Sequence, residues 1–522
     1  MAAALDEAFA AGMAAVDAQD YAAAERFFRG IVALRPESHQ AWNALAWTSL
    51  WQGQPDIGIE YARRATELER GNAEYLNTLG VAQGELGELA AAEASFRKAL
   101  KIRPGFVGGL INLAKVLLKE GRLQETIRAY ERAHAIDPAF PRLRYALAQM
   151  YRKAGQVERA KALMELAERS ADDEELAMAL AEIDSELEGV SVASERLRRR
   201  TERHPEWRLA RTTLAHLALS SGDWREGWRN FLLRIDGRDP ASFRAEPLAA
   251  RLEGRRVLLR GEQGIGDVLF YLRFVPLLRA RGALVSLACE RRIAALASGS
   301  GVFEAVREPS ADDGRAAGFD YRIWLGDLPA LLEADEVPPA WPLVCPESAR
   351  TRAAARLAQL GAGPYLAVTW RAGTDILRGR EFGTDRRLLM KELPAAELGA
   401  ALRGWRGTVL ALQRNLVPAE LAAFSAALGA PAHDLSTLGE DLNELLGVLS
   451  SLDEYAALSN TNMHLLAGLG RTARVLVPYP AEWRWMRAEG PSPWFPGFAV
   501  YREPRQRGWK APLEQLRRDL IG

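Results

Sequence analysis

The sequence predicts a multidomain fold, an all-α array of helical repeats followed by a pair of α/β lobes built on parallel sheets. Three observations carry this. Glycines recur at a fixed period of 34 residues through the first part of the chain. The second part alternates short apolar runs with amphipathic stretches. At 522 residues the chain is also too long to close around one hydrophobic core.

The repeat comes first along the chain. Gly53, Gly87, Gly121, Gly155 and Gly189 are each 34 residues apart, and Gly222 follows after 33. Pro36, Pro104 and Pro138 keep the same spacing, Arg70 stands where a proline would fall, and Pro205 returns one deletion later. A glycine ends the first helix of each unit, where a left-handed residue costs least. A proline after the second helix blocks its continuation. Leu76, Leu79 and Ala82, then Ala90, Ala94, Phe96 and Ala99, supply apolar faces at helical spacing. One such pair cannot bury its face alone, so neighbours must stack. The segments WNALAWTSLWQGQPDIGIEYARRA and LNTLGVAQGELGELAAAEASFRKAL resemble the tetratricopeptide (TPR) family. The resemblance covers residues 5–240 in about seven units, with a degenerate sixth at 175–207. It implies a concave groove that takes a peptide or partner protein.

The segment 237–247, GRDPASFRAEP, loses the periodicity and reads as a junction. Beyond it, RRVLLR (255–260), ALVSLAC (283–289) and YRIWLG (321–326) read as strands, with helical stretches between. The prolines at 338, 339, 342 and 346 mark a linker before a further helix. The same grammar then restarts with YLAVTW (365–370), TVLALQR (408–414), EYAALS (454–459) and ARVLVP (473–478). Strands alternating with helices imply parallel sheets covered on both faces. The expected domains are therefore 1–240, helical repeats; 241–346, a first Rossmann-like lobe; and 347–522, a second such lobe with a closing C-terminal helix. Ligands of such lobes bind at the carboxyl ends of the strands.

Composition narrows the function. Lys+Arg and Asp+Glu both number 68. No global basic field exists to hold nucleic acid. Two cysteines, Cys289 and Cys345, are no disulfide framework and point to a reducing compartment. No signal peptide or stretch of about 18 apolar residues is seen, so the expectation is a cytoplasmic protein with no membrane span. The sequence specifies no oligomeric state.

Three segments could carry chemistry. Gly261–Asp267 (GEQGIGD) joins a strand to a helix, so Gly264 and Gly266 allow close backbone approach to a ligand, with Gln263 a possible sugar or acceptor contact. It lacks the Lys-Ser/Thr of a P-loop and the spacing of a dinucleotide fingerprint. Asp267 reads either as a general base for an acceptor hydroxyl or as a plain helix N-cap. Ser459, Asn460, Thr461, Asn462 and His464 end a strand and open a helix, which suits a diphosphate; the histidine reads equally as structural. Trp370, Arg371 and Lys391, with Arg386 and Arg387, form a basic stretch that would neutralise a leaving diphosphate or stand as a solvated loop. Trp370 is a possible sugar or acceptor contact, and Trp483, with Trp485 and Trp494, could stack on a sugar or anchor packing. No His/Cys cluster has metal-ligand spacing and no Asp-x-Asp pair suits a metal–nucleotide complex, so no metal cofactor is expected.

LLRGEQGIGDVLFYLRFVPLLRARGALV, TWRAG, KELP, SNTNMHLLAGLG, AEWRWM and SPWFPGFAVYREP occur in that order over residues 208–522. This series resembles the ADP-heptose–lipopolysaccharide heptosyltransferases (glycosyltransferase family nine), and more closely the TPR proteins that carry such a domain. The resemblance implies a GT-B fold and an inverting, metal-independent glycosyltransferase using a nucleotide-sugar donor. It implies Asp267 as catalytic base, Lys391 and Arg371 as phosphate contacts, His464 and its neighbours as the donor-diphosphate site, and a C-terminal helix returning to the first lobe. It implies an acceptor protein held by the repeats, flagellin being one such acceptor. SNTNMH departs from the family segment: it is two residues shorter and lacks the Asp and Gly. That departure supports an alternative, a TPR scaffold or chaperone with a catalytically weak or inactive glycosyltransferase-like domain.

Overall fold

The computed structural model describes residues 2–140, 142–168, 173–234, 247–261, 264–372, 391–479, 481–487, 490–504 and 508–522. The junction read at 237–247 lies outside them up to residue 246. The chain forms two compact units, Met1–Leu187 and Glu188–Gly522.

Among the described residues fourteen helices, in seven consecutive pairs, fill Ala2–Phe231. The segment read as degenerate still forms two of them, Glu174–Leu187 and Val190–Arg203. The period has the expected physical cause: the six spaced glycines all have positive φ, from +71° to +103°. In the first pair Gln19 fills the same slot with φ +60°. Helices Tyr21–Leu34, Leu89–Ile102, Leu123–Ile136 and Val190–Arg203 stop two residues before Pro36, Pro104, Pro138 and Pro205.

Within the first unit the register of one face differs from expectation. Ala90 and Ala94 face solvent, whereas Ala92, Phe96 and Ala99 are buried. Alanine carries too little apolar area to orient a helix, so Phe96 sets the face together with the residues four before and three after it. Phe96 fits because Gly80, on the partner helix Ala73–Leu86, has no side chain. A Cβ at Gly80 would lie 2.7 Å from the Phe96 ring, and one at Gly12 would lie 2.6 Å from Phe28.

The second unit contains the last repeat helices and two parallel sheets. The first sheet is built from β1 (Arg256–Arg260), β2 (Leu284–Ala288), β3 (Ala305–Arg307) and β4 (Tyr321–Trp324), in the order β3-β2-β1-β4. In the second part of the unit β5 (Tyr365–Thr369) is followed by a small antiparallel pair, β6 (Arg371–Ala372) and β7 (Lys391–Glu392). Then come β8 (Thr408–Ala411), β9 (Ala432–Asp434), β10 (Glu454–Leu458), β11 (Arg474–Val477) and β12 (Ala499–Arg502). The second sheet runs β12-β11-β10-β5-β8-β9, all parallel.

Strand residues alternate between two cores, as the period of two requires. Leu366, Val368, Ala456 and Leu458 face one cluster, while Ala367, Tyr455 and Ala457 face the other. The larger cluster also takes in the first sheet and Leu219, Trp228 and Phe231 from the last repeat. The linker leads into helix Glu347–Leu360, as expected. The C-terminal helix Lys510–Ile521 buries Leu513 and Leu516 in the cluster of the second sheet, and Arg517 donates to the Arg403 carbonyl at 3.1 Å. Its buried face thus lies with the second sheet, where the resemblance implies a return to the first lobe.

Candidate functional site

Strand order creates two switch points. The chain leaves β1 toward β2 and β3, then returns to β4 on the other side of β1. It leaves β5 toward β8 and β9, then returns to β10 on the other side of β5. A crevice opens outside the carboxyl ends at such points. The three segments singled out in the sequence start there: Gly261 follows β1, Trp370 follows β5 and Ser459 follows β10.

Two helices bring the first and third segments together. Ile265–Tyr271 follows β1 and Thr461–Gly468 follows β10. Gly266 permits the approach, since a Cβ there would lie 3.3 Å from both His464 Cδ2 and Thr461 Oγ1. Gly264 is the N-cap of its helix, and Asp267 is the third helical residue rather than the cap. Its carboxylate makes no cap bond and is turned to a partner from another segment. Arg484 Nη2 donates to Asp267 Oδ1 at 2.6 Å. The Arg484 guanidinium carbon lies 4.6 Å from the Phe270 ring centroid and 4.5 Å from that of Trp483, a stacked placement that fixes it.

A second ion pair stands beside the first. Lys391 Nζ donates to Glu482 Oε2 at 2.5 Å and to the Ser459 carbonyl at 3.3 Å. Ser459 Oγ donates to Glu482 Oε1 at 3.2 Å and accepts from Trp485 Nε1 at 2.7 Å. Burial opposes ionisation of Glu482, but Lys391 and then Arg484 outweigh it and hold the carboxyl below its usual range. Burial likewise opposes the Arg484 charge, and Asp267, Tyr271 and Glu482 together outweigh it. Burial, then Arg484, Arg273 and Lys391, push the His464 pKa well below its ordinary value, so the imidazole is neutral.

The Asn460 and Asn462 side chains serve the loop itself. Asn460 Oδ1 accepts from the Asn462 N–H at 2.8 Å, capping the helix, and its Nδ2 donates to Tyr455 Oη at 3.0 Å. Asn462 Nδ2 donates to the same oxygen at 2.9 Å. The helix N-terminus is therefore partly occupied by its own cap. Arg371 points elsewhere, with Nη2 donating to Glu420 Oε2 at 2.9 Å and to the Asn415 carbonyl at 3.0 Å. Its backbone pairs with β7, next to Lys391, but the two cations bind different carboxylates. Trp370 is buried and stacked on Phe424 at 5.3 Å, and Trp483 is buried edge-on to Trp228, Phe270 and Trp494. Trp483 thus sits as a packing anchor, one of the two roles read for it, and Trp370, read as a possible sugar or acceptor contact, is packed in the core. Gln263, Arg386 and Arg387 lie outside the described residues.

Sequence reasoning missed Arg484, Glu482 and Tyr455. It also missed His216 and Trp228, which the last repeat contributes. Trp228 is 1% exposed and meets Tyr271, Phe274, Trp483 and Trp494. The Arg487 N–H donates to the Ser220 carbonyl at 3.3 Å, which ties helix Arg208–Ser221 to the segment bearing Arg484. His216 on that helix is solvent-accessible yet crowded, and desolvation, then Arg484 and Arg487, lower its pKa to about 4. A depression of about 480 Å³ bounded by Arg403, Trp405, Gly407 and Leu428 sits at the amino end of β8, the opposite end from these segments. Among the described residues no group of three or more His, Cys, Asp or Glu could hold a metal ion, and no helix is long and apolar enough to cross a membrane.

The N-terminal region, to about residue 230, is a TPR solenoid, and a domain with two β-sheets follows it. The tetratricopeptide repeat family matches residues 50–105 and 117–183. A relative, protein FlbA of Caulobacter vibrioides, is 25% identical over 525 residues, covering 95% of this chain and 81% of its own length. Among solved structures, MamA from Desulfovibrio magneticus RS-1 is 22% identical, covering 32% of this chain and 96% of that one, with TM-score 0.29. A tetratricopeptide repeat protein from Parabacteroides merdae is 14% identical, covering 45% and 94%, with TM-score 0.36.

Proposed function

We propose that this chain is a partner-binding TPR scaffold whose α/β domain is glycosyltransferase-like, with a GT-B-type pair of lobes at 241–346 and 347–522, and catalytically weak at rest. TPR arrays hold protein partners, and that role falls to the repeats. One observation carries the second half of the reading: each charged group expected to act in transfer is already neutralised within the chain. Asp267 binds Arg484, Lys391 binds Glu482 and Arg371 binds Glu420. A base held by a guanidinium is a weaker base, and a cation held by a carboxylate attracts a diphosphate less. The test uses purified full-length chain with ADP-, UDP-, GDP- and CMP-sugars. A thermal shift with one nucleotide class, together with donor turnover at the rate of the uncatalysed control, is the expected result. Turnover on the order of 1 s⁻¹ or faster would overturn it.

The convergence of the Asp267 and Lys391 ion pairs on Glu482 and Arg484, two residues apart, favours a second reading. This is an active inverting glycosyltransferase acting without a metal. Asp267 removes the acceptor proton, the alkoxide attacks the anomeric carbon, and Lys391 and Arg371 stabilise the departing diphosphate. On this reading Asp267→Asn abolishes transfer without loss of donor binding. Retained turnover in that variant would remove Asp267 from the base role.

A further inference from the structure

The charges around Arg484 do not balance. Arg273, Arg484 and Lys391 face Asp267 and Glu482, which leaves one positive charge in excess. Arg273 is 2% exposed, and its guanidinium donates only to carbonyls among the described residues, that of Phe270 at 3.1 Å and that of Trp494 at 3.3 Å. Two polar atoms at the same place, His464 Nδ1 and Arg484 Nε, are buried without a hydrogen-bond partner. Excess positive charge and unfilled polar positions call for an anion.

Within its ion pair, Arg484 is less able to move than Asp267. Its side chain is 12% exposed and lies against two aromatic rings, whereas the Asp267 side chain is 31% exposed. Asp267 can rotate into water without opening the core; Arg484 cannot follow it. Lys391 is held by both Glu482 and Ser459, so it offers less to a newcomer.

We propose that Asp267 and an incoming anion compete for the Arg484 guanidinium, so that binding of the anion itself releases the Asp267 carboxylate. Arg484 is then a positioning residue: at rest it holds the candidate base, and in the bound state it holds the ligand. The inference rests on the reading of this site as one for a diphosphate-bearing ligand, and it adds that the resting ion pair suppresses binding.

Competition has a consequence that simple neighbourhood lacks: removing the carboxylate should tighten anion binding. Titration calorimetry of the full-length chain with inorganic pyrophosphate, ADP and UDP at fixed ionic strength tests this. Asp267→Asn should bind about tenfold more tightly than wild type, Arg484→Gln should lose binding, and Arg484→Lys should recover part of it. Asp335→Asn removes an exposed carboxylate paired with Arg225 and controls for a general change of charge. It should leave affinity unchanged. Thermal midpoints verify folding, and if Arg484→Gln does not fold, the comparison of Asp267→Asn with wild type decides. Wild-type binding with Asp267→Asn equal or weaker would overturn the competition while leaving the diphosphate reading intact. Equal tightening by Asp335→Asn would also overturn it. Absence of binding by every chain would overturn both.

Discussion

Tyr455 illustrates what a single residue does here that its sequence context conceals. Its phenolic oxygen has one proton and two lone pairs. Asn460 and Asn462 each donate to it, so the proton must go to Thr369 Oγ1 at 2.8 Å, and the Thr369 proton goes to the Leu412 carbonyl at 3.1 Å. Both buried hydroxyls, those of Tyr455 and Thr369, are satisfied, and these bonds join β5 to the loop after β10. Replacing Tyr455 by Phe takes the acceptor from Asn462 Nδ2 and leaves Asn460 Nδ2 with the Leu458 carbonyl alone, which costs about 2 kcal/mol. Urea unfolding should show that loss with an unchanged m-value, and a loss under 0.5 kcal/mol would mean water replaces the oxygen. In the sequence Tyr455 is simply one position of an apolar run, EYAALS. The asparagines stood out because small polar residues at a strand end suggest a ligand, yet their side chains are used internally.

At the scale of elements, the central strands were legible and, β4 apart, the edges were not. β1, β2, β5, β8, β10 and β11 are apolar runs because both their faces are covered. β3 (AVR), β9 (AHD) and β12 (AVYR) lie at sheet edges, are three or four residues long, and went unread. Short strands with polar residues are how edges avoid pairing with other chains, and the same property erases the pattern. The helical repeats show the converse. Their period is legible because positive φ and helix termination each select one residue type. The pairing of helix faces is not, because it depends on volume. Gly80 and Phe96 form one such pair, and the aromatic ring leaves no room for a methyl group. Gly80→Ala should destabilise the first unit by about 1–3 kcal/mol despite the better helix propensity of alanine. Combining it with Phe96→Leu should recover part of that loss. Strictly additive effects in thermal unfolding would show that the two sites do not touch.

At the scale of the whole molecule, the unit Glu188–Gly522 is a single packing problem in which the last repeat and both sheets share one core. The ion pairs of the candidate site border that core, Arg484 lying against Phe270 and Trp483. Asp267 and Arg484 are 217 residues apart, and nothing in the spacing of GIGD and AEWRWM announces that they meet. The same packing crowds two imidazoles. His216 faces Arg484, Arg487, Arg234 and Glu482, and His464 faces Arg484, Arg273 and Lys391. Their pKa values fall from the ordinary 6.5, to about 4 for His216 and well below 6.5 for His464. In the unfolded chain both take up protons near pH 6.5, while the native state refuses them. Below that pH the unfolded state therefore binds more protons, and stability must fall with falling pH. For His216 the loss runs from about pH 6.5 down to about pH 4. Glu482, whose folded pKa lies below 4.5, adds its own loss only at lower pH. Denaturant unfolding of this unit within the full chain should thus be flat from pH 8 to 7 and weaken steadily from pH 6.5 to 5. The variant His216→Gln, His464→Gln should remove most of that slope while leaving the decline below pH 4.5. A slope unchanged in the double variant would mean that both rings take up protons in the native state as readily as in the unfolded chain, and that the positive charge around Arg484 weighs on them less than this packing implies.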